Sequence, residues 1–453
     1  MERKKVLGFW DLLLFTFCAM FGLEAIPASA AIGLSAISWW LICVIGFFLP
    51  LGLIIAELGS TYPEQGGIYI WIKKALGNKW AARTTWYYWI CLPIWLPALY
   101  IAVAEILGHI FFPEAGLWFK VLIAVIMIWL TTFINLCPLK FSKWVPNIGA
   151  ISRLLVVMGM IFVAVMYFLK NARFANEITF SGILPNPSAA IAFIPMIIYN
   201  LVGFELISGA AGEMKNPKRD IPKTIILSAI IIVALYLITT FAIWVVVPVS
   251  EINVASGIMQ IFLTVFSGHE IKQIVTVVIG LLLSITIFAG IVPWTLGDNR
   301  VVAEAAREGK LPKVLGMMTK NMAPSGAAII SGLISTAVII IYGFIAKNAS
   351  ELFWHTISFS TVVNLFAYLM LFPSFIILRR KDKDIDRPYR FPGPNWFVVS
   401  VAVIAEIFLI LTVLILILQP GHDFKRTALP IISGIVVTIF IGEIFIKHYI
   451  DKS

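Results

Sequence analysis

Two short strings put acids where acids are expensive. Phe21-Gly22-Leu23-Glu24-Ala25-Ile26-Pro27 and Asn200-Leu201-Val202-Gly203-Phe204-Glu205-Leu206-Ile207-Ser208-Gly209 each lie in a long apolar stretch and carry a Gly-x-Glu triplet, 181 residues apart. A charged side chain at mid-membrane costs about 2.5–3.5 kcal/mol on insertion scales. A glycine or proline break also frees backbone groups that hydrocarbon cannot satisfy. Both features persist where they line a cavity, and the chemistry they then offer is ion recognition. Half-helix N-termini present N–H groups to an anion, and half-helix C-termini present carbonyls to a cation. The alternative is that Gly22 and Gly203 only permit close helix packing. Arg153, in Pro146-Asn147-Ile148-Gly149-Ala150-Ile151-Ser152-Arg153, is the one basic residue deep within an apolar run.

Little else in the chain could do chemistry. His109, His269, His355, His422 and His448 show no i, i+4 pairing, so neither a metal centre nor a catalytic triad is expected. Cys18, Cys43, Cys91 and Cys137 lack CxxC spacing and read as small packing residues, not as disulfides or zinc ligands. There is no Gly-x-x-x-x-Gly-Lys-Ser/Thr phosphate loop and no nucleophile or cofactor constellation, so no cofactor and no enzymatic activity are expected.

The elements that must position these groups are membrane helices. Of 453 residues, 60% are apolar and only 13% charged, about half the charged share of a soluble domain. The net charge of +10 fits basic cytoplasmic loops better than nucleic-acid binding on a chain this apolar. The amino terminus imitates a signal peptide, with Arg3, Lys4 and Lys5 before an apolar stretch and Ala28-Ser29-Ala30 as a cleavage site. Asp11 and Glu24 interrupt that run, and it continues past the small residues, so a retained span is expected.

Hydropathy predicts twelve spans, at 9–36, 38–60, 85–111, 119–138, 145–169, 189–212, 223–248, 273–297, 325–346, 351–378, 395–419 and 427–448. An even number puts both termini on one side. That side holds 26 Lys and Arg against 7 on the other, so it is expected to be cytoplasmic. The connections 61–84, with Ile68 to Lys74, and 298–324, with Val301 to Arg307, read as amphipathic helices at the interface, and 249–271 as a third such element. The two triplets open two blocks of five spans, 1–5 and 6–10. That is the pattern of an inverted-repeat transporter whose discontinuous helices meet near the midplane.

Three stretches carry a family likeness. Ala56-Glu57-Leu58 followed by Pro63-Glu64-Gln65-Gly66-Gly67-Ile68-Tyr69-Ile70-Trp71, with Gly77 closing, resembles the signature after the second helix of amino acid, polyamine and organocation transporters. Gly203-Phe204-Glu205 leading into Lys215-Asn216-Pro217-Lys218-Arg219-Asp220-Ile221-Pro222 is similar to that family's sixth helix and following loop. Trp294-Thr295-Leu296, then Arg300 to Ala306 and Glu308-Gly309-Lys310-Leu311-Pro312, resembles the end of its eighth helix. The stretches stand in family order, and the nearest groups are the arginine/agmatine and glutamate/GABA exchangers.

The resemblance implies an all-α membrane protein with a five-plus-five inverted repeat, residues 1–170 and 189–378, helices 1 and 6 broken, and peripheral helices over 395–448. It implies a sodium-independent exchanger of amino acids or their amines in the cell membrane, working by alternating access. The alternative in the same class is a proton-coupled polyamine or amino-acid importer; a ligand sensor on the same fold is the rival from another class. The resemblance places carbonyls near Cys18, Tyr199 and Val202 on a substrate ammonium and N–H groups near Gly22, Leu23 and Glu24 on a carboxylate. Phe21-Gly22 stands where the family has Gly-Ser/Thr-Gly, which disfavours carboxylate capture. Glu24 and Glu205 together favour a cationic substrate, unless one is protonated and serves proton coupling. Arg153 aligns with a helix-5 lysine that replaces sodium in sodium-independent relatives; snorkelling to the interface is the alternative. Trp294 and Tyr199 align with a stacking and a gating aromatic, and Phe204 is a weaker gate candidate. Trp354, Ser360 and Asn364 are further candidates for the lining. The sequon Asn348-Ala349-Ser350 falls in an outer loop. With four residues after Tyr449, no acid-displaced C-terminal plug of the glutamate/GABA type is expected. The partners expected are a small-molecule substrate, lipid and protons, with the oligomeric state open.

Overall fold

A computed structural model describes residues 5–186, 197–253, 256–345, 349–418 and 428–450. The chain is a succession of helices: α1 (Phe9–Met20), α2 (Ala25–Ala30), α3 (Ser35–Cys43), α4 (Leu49–Thr61), α5 (Ile68–Leu76), α6 (Asn78–Phe111), α7 (Leu117–Leu136), α8 (Leu139–Ser142), α9 (Trp144–Asn171) and α10 (Phe180–Ile183). The second part continues with α11 (Leu206–Gly209), α12 (Pro217–Val246), α13 (Gly257–Val265), α14 (Lys272–Arg307), α15 (Ser325–Ile345), α16 (Ala349–Tyr368), α17 (Leu371–Lys381), α18 (Asn395–Leu418) and α19 (Ala428–Ile450). A π-helical turn, Val44–Phe48, joins α3 and α4 into one 27-residue run.

Ten helices among the described residues are long and apolar enough to cross a membrane, and they fall on ten of the twelve spans expected from hydropathy. The two exceptions are the two that carry the Gly-x-Glu triplets. Residues 9–36 divide into α1 and α2, with Phe21–Glu24 non-helical between them. Of 189–212, residues 189–196 lie outside the described residues; 197–199 are helical, 200–205 are not, and α11 follows. Gly203 takes φ +123°, a conformation L side chains rarely adopt, which is why a glycine stands there.

Helix α1 is enclosed by α9, α12 and α14. Lipid-facing apolar side chains stay exposed on the outer elements, such as Leu411 on α18 and Phe440 on α19. The expected interfacial helices need correction. In α5, Ile68, Tyr69, Ile70, Trp71 and Ile72 are all buried, packed against α6 and α17; the first five residues form a continuous apolar block that belongs in a core, and only the last turn, with Lys73 and Lys74, reaches solvent. Gly67 (φ +44°) allows this approach, since a Cβ there would lie 3.0 Å from the backbone of Ser208 and Gly209. Residues 298–307 are not a separate element but the last turns of α14, with Val301, Val302, Ala303, Ala305 and Ala306 buried. Helix α13 is half-buried, with Ile258, Ile261 and Phe262 turned inward.

The side that carries the amino terminus is tied shut by polar contacts. Leu7 pairs with Met214 as an isolated parallel bridge, and the buried Arg300 Nε donates to Glu213 Oε1 at 2.6 Å. Lys73 and the Tyr69 hydroxyl both donate to Glu308 Oε2. Burial pushes the Glu308 carboxyl up, but the hydrogen bonds from Lys73 and Tyr69 outweigh it, and the group ionises below its ordinary value of 4.5. A depressed carboxyl pKa contributes stability that is complete above about pH 4.5 and is lost as pH falls through the folded value. Glu308→Gln is therefore expected to cost about 0.2–1 kcal/mol at pH 7, the range of solvent-screened pairs, and to flatten the loss of melting temperature between pH 5 and pH 3. Parallel acid profiles for the two proteins would contradict this.

Candidate functional site

The break after α1 leaves the carbonyls of Cys18, Ala19 and Phe21 without backbone donors, and side chains from the three enclosing helices supply them. Arg153 on α9 donates through Nη1 to the carbonyls of Cys18 and Phe21, and at 3.5 Å to that of Phe17; its Nη2 reaches Thr286 O on α14 at 3.3 Å. Trp294 Nε1, also on α14, donates to Ala19 O at 2.9 Å. The Tyr236 hydroxyl on α12 donates to Met20 O at 3.0 Å and accepts from the Gly22 N–H at 2.8 Å. Every carbonyl from Phe17 to Phe21 thus has a donor, as buried backbone groups require.

Small residues make room for Arg153, which is 4% exposed. A Cβ on Gly290 would lie 2.1 Å from Arg153 Nη2, and one on Gly149 would lie 2.3 Å from Ala289 Cβ and 2.8 Å from Cys18 Sγ. Arg153 is therefore bound to helix 1 and not extended toward an interface.

Beside the break is a narrow hollow of about 30 Å3, room for a water or two, so a substrate requires the walls to part. Its polar lining comes from Glu24, Asn200 and Arg153, and its aromatic lining from Trp95, Tyr199 and Trp294. Trp95 meets Trp294 and Tyr199 edge-on, with ring centroids 5.8 and 6.4 Å apart. Gly22 lets the tips of two polar side chains approach: a Cβ would lie 2.6 Å from Asn200 Oδ1 and 2.7 Å from Glu24 Oε1 and would push them aside.

The structure brings Gly22, Glu24, Val202, Tyr199, Trp294 and Arg153 together around this hollow. It places the other anticipated residues elsewhere. The Cys18 carbonyl is taken by Arg153, and Leu23 is buried outside the lining. Gly203 packs against Trp294 and Met20. Phe204 stacks on Phe48, centroids 4.8 Å apart, turned toward α4. Glu205 is buried off the hollow, its Oε1 accepting from the Tyr88 hydroxyl at 2.7 Å and from that of Tyr368 at 2.6 Å. Ser360 and Asn364 are buried without lining it. The Trp354 side chain and Asn348 of the sequon lie outside the described residues.

Trp95, Asn200, Tyr236 and the Glu205 partners Tyr88 and Tyr368 were not anticipated. Trp95 had a local signal in the flanking Pro93 and Pro97, and Asn200 in its place within the second triplet string. Tyr236 had none, since an amphipathic residue in an apolar run shows no address.

A family model described as amino acid permease matches residues 7–441. The chain belongs to the amino acid permease family. This permease is 32% identical, over 98% of its length and 95% of the relative's, to a probable agmatine/putrescine antiporter of Lactococcus lactis. It is 24% identical over 91% of its length and 83% of the relative's to a glutamate/gamma-aminobutyrate antiporter of the same species. Its fold is like that of MhsT crystallised with L-phenylalanine, at TM-score 0.68 and 14% identity, covering 92% of the permease and 100% of that chain. The permease is a multi-pass membrane transporter and not an enzyme.

Proposed function

We propose that this permease exchanges cationic amines of the agmatine and putrescine kind across the cell membrane, without sodium and by alternating access. The observation that carries the reading is what remains unclaimed at the break. The Gly22 N–H, a natural receptor for a substrate carboxylate, is held by Tyr236, and the carbonyls at the end of helix 1 are held by Arg153, Trp294 and Tyr236, leaving those near Tyr199 and Val202 beside the hollow. The charge offered to a substrate is then Glu24, in a hollow walled by Trp95, Tyr199 and Trp294. An acid among aromatic faces suits a cation. The relative at 32% identity, named for agmatine and putrescine, points the same way.

Arg153 supports sodium independence. Its guanidinium holds the carbonyls of helix 1 and Thr286 O of α14 together, where a bound cation would otherwise be needed, and an arginine does not release its proton. The two broken helices act as the first members of inverted repeats over 1–170 and 189–378, with 395–448 peripheral and both termini cytoplasmic. Buried Glu205 favours a second reading, proton-coupled import, because an acid held by two tyrosines could carry a proton.

Proteoliposomes separate these. Labelled agmatine is expected to enter vesicles preloaded with putrescine, at an unchanged rate when choline replaces sodium, and not to enter empty ones. Uptake into empty vesicles under a proton gradient would favour import, and a sodium requirement would remove the role given to Arg153.

A further inference from the structure

The aromatic wall of the hollow continues past Trp294 to an acid that nothing so far uses. Gly290, Trp294 and Asp298 stand at i, i+4 and i+8 on α14, so Asp298 follows Trp294 on the same face, one turn or about 6 Å further along. Gly290 and Trp294 both line the hollow. On α6, Tyr88, Cys91, Trp95 and Leu99 form the matching stripe, running from the Glu205 contact at Tyr88 to the lining residues Trp95 and Leu99.

Asp298 is 1% exposed, and its Oδ1 has no hydrogen-bond partner among the described residues. It takes part in none of the ion pairs found among them. The buried arginines on its own helix and on α9 are committed: Arg300 to Glu213 and Leu296 O, and Arg153 to helix 1. Its acidic neighbour Glu205 takes the hydroxyls of Tyr88 and Tyr368, and the Tyr88 hydroxyl also lies against Asp298, a neutral donor that brings no counter-charge. Tyr199, on the wall of the hollow, is within electrostatic reach of both Glu24 and Asp298. Glu24 thus lines the hollow and Asp298 lies outside that lining, one turn beyond Trp294, and among the described residues neither acid forms an ion pair.

We propose that Asp298 is a second cation subsite, so that the bound substrate is a dication with one charge on Glu24, its methylenes along Trp95 and Trp294, and the other charge on Asp298. This rests on the amine-exchange reading and goes beyond it. It assigns a residue to the second charge and makes the site selective for diamines and guanidinoamines over monoamines of the same length. A buried acid left unmatched by a monoamine penalises that ligand, as sites built around a polar partner do.

The test is competition for labelled putrescine bound to the detergent-solubilised full chain, using putrescine, butylamine and 1,3-diaminopropane. The wild type is expected to prefer putrescine to butylamine by about 100-fold or more. Asp298→Asn is expected to weaken putrescine until the two amines compete alike, leaving butylamine unchanged. Asp298→Glu, whose acid reaches one methylene further, is expected to shift preference toward 1,3-diaminopropane and covers the case in which the asparagine variant does not fold. Equal weakening of both amines in the variants, as a shared proton between Asp298 and Glu205 would produce, overturns the subsite. So does unchanged putrescine binding. Wild-type binding of both amines without discrimination also overturns it while leaving amine exchange standing; no amine binding at all removes both.

Discussion

Arg153→Met is expected to abolish exchange and to destabilise the permease by about 3 kcal/mol or more. The substitution keeps most of the side chain's volume and removes the donors that hold the carbonyls of Cys18, Phe21, Phe17 and Thr286. A buried acceptor left unsatisfied costs about 1–3 kcal/mol, and the carbonyls of Cys18 and Phe21 lose their partner together, whereas Phe17 O keeps the Phe21 N–H and Thr286 O lies within a continuous helix. Gly290→Ala supplies the companion, because its Cβ would come within 2.1 Å of Arg153 Nη2 and displace the guanidinium with its charge intact. The two variants are expected to melt earlier by similar amounts and the pair together by little more, since both break the same contacts. Arg153→Lys is expected to recover only part of the loss, a single ammonium replacing a planar fork. Thermal unfolding in detergent and counterflow in vesicles measure both effects; wild-type melting and exchange in Arg153→Met would refute the role given to this residue.

Glu24→Gln separates recognition from scaffolding. Glu24 lines the hollow and belongs to none of the carbonyl contacts that close the break, so the variant is expected to melt within about 0.5 kcal/mol of the wild type. Losing one partner of a desolvated charge pair costs about 2–5 kcal/mol, which weakens the Kd for agmatine and putrescine by roughly 30-fold to several thousand-fold. Monoamines are expected to suffer as much as diamines, in contrast to Asp298→Asn, where only diamines suffer. Titration calorimetry on the purified chain gives both numbers, and an amine Kd unchanged in Glu24→Gln would end the cationic-substrate reading.

Sequence and structure divide these residues by the range of the forces involved. Apolar runs of membrane length, the surplus of Lys and Arg on one side and the Gly-x-Glu interruptions are local properties, so ten spans and the two interrupted stretches were legible before any packing was known. The Ala56 to Trp71 and Trp294 to Pro312 stretches gave the family for the same reason. Helical periodicity says which residues share a face, however, and not which neighbour that face meets. That Arg153 would take the carbonyls of Cys18 and Phe21, that Tyr236 would claim the Gly22 N–H from more than 200 residues away, and that Phe204 would turn to Phe48 were settled only when α9, α12 and α14 closed around α1. Asp298 shows the division most plainly. Its position in the chain looks like the start of a loop, whereas α14 runs on through it and buries it one turn beyond Trp294. Composition thus determined a multi-pass membrane protein, and the family motifs a transporter, with two apolar stretches interrupted by Gly-x-Glu. Tertiary packing decided which of the polar groups at those openings were already satisfied and which remained for a substrate, because a hydrogen bond's partner is chosen by distance in space and not along the chain.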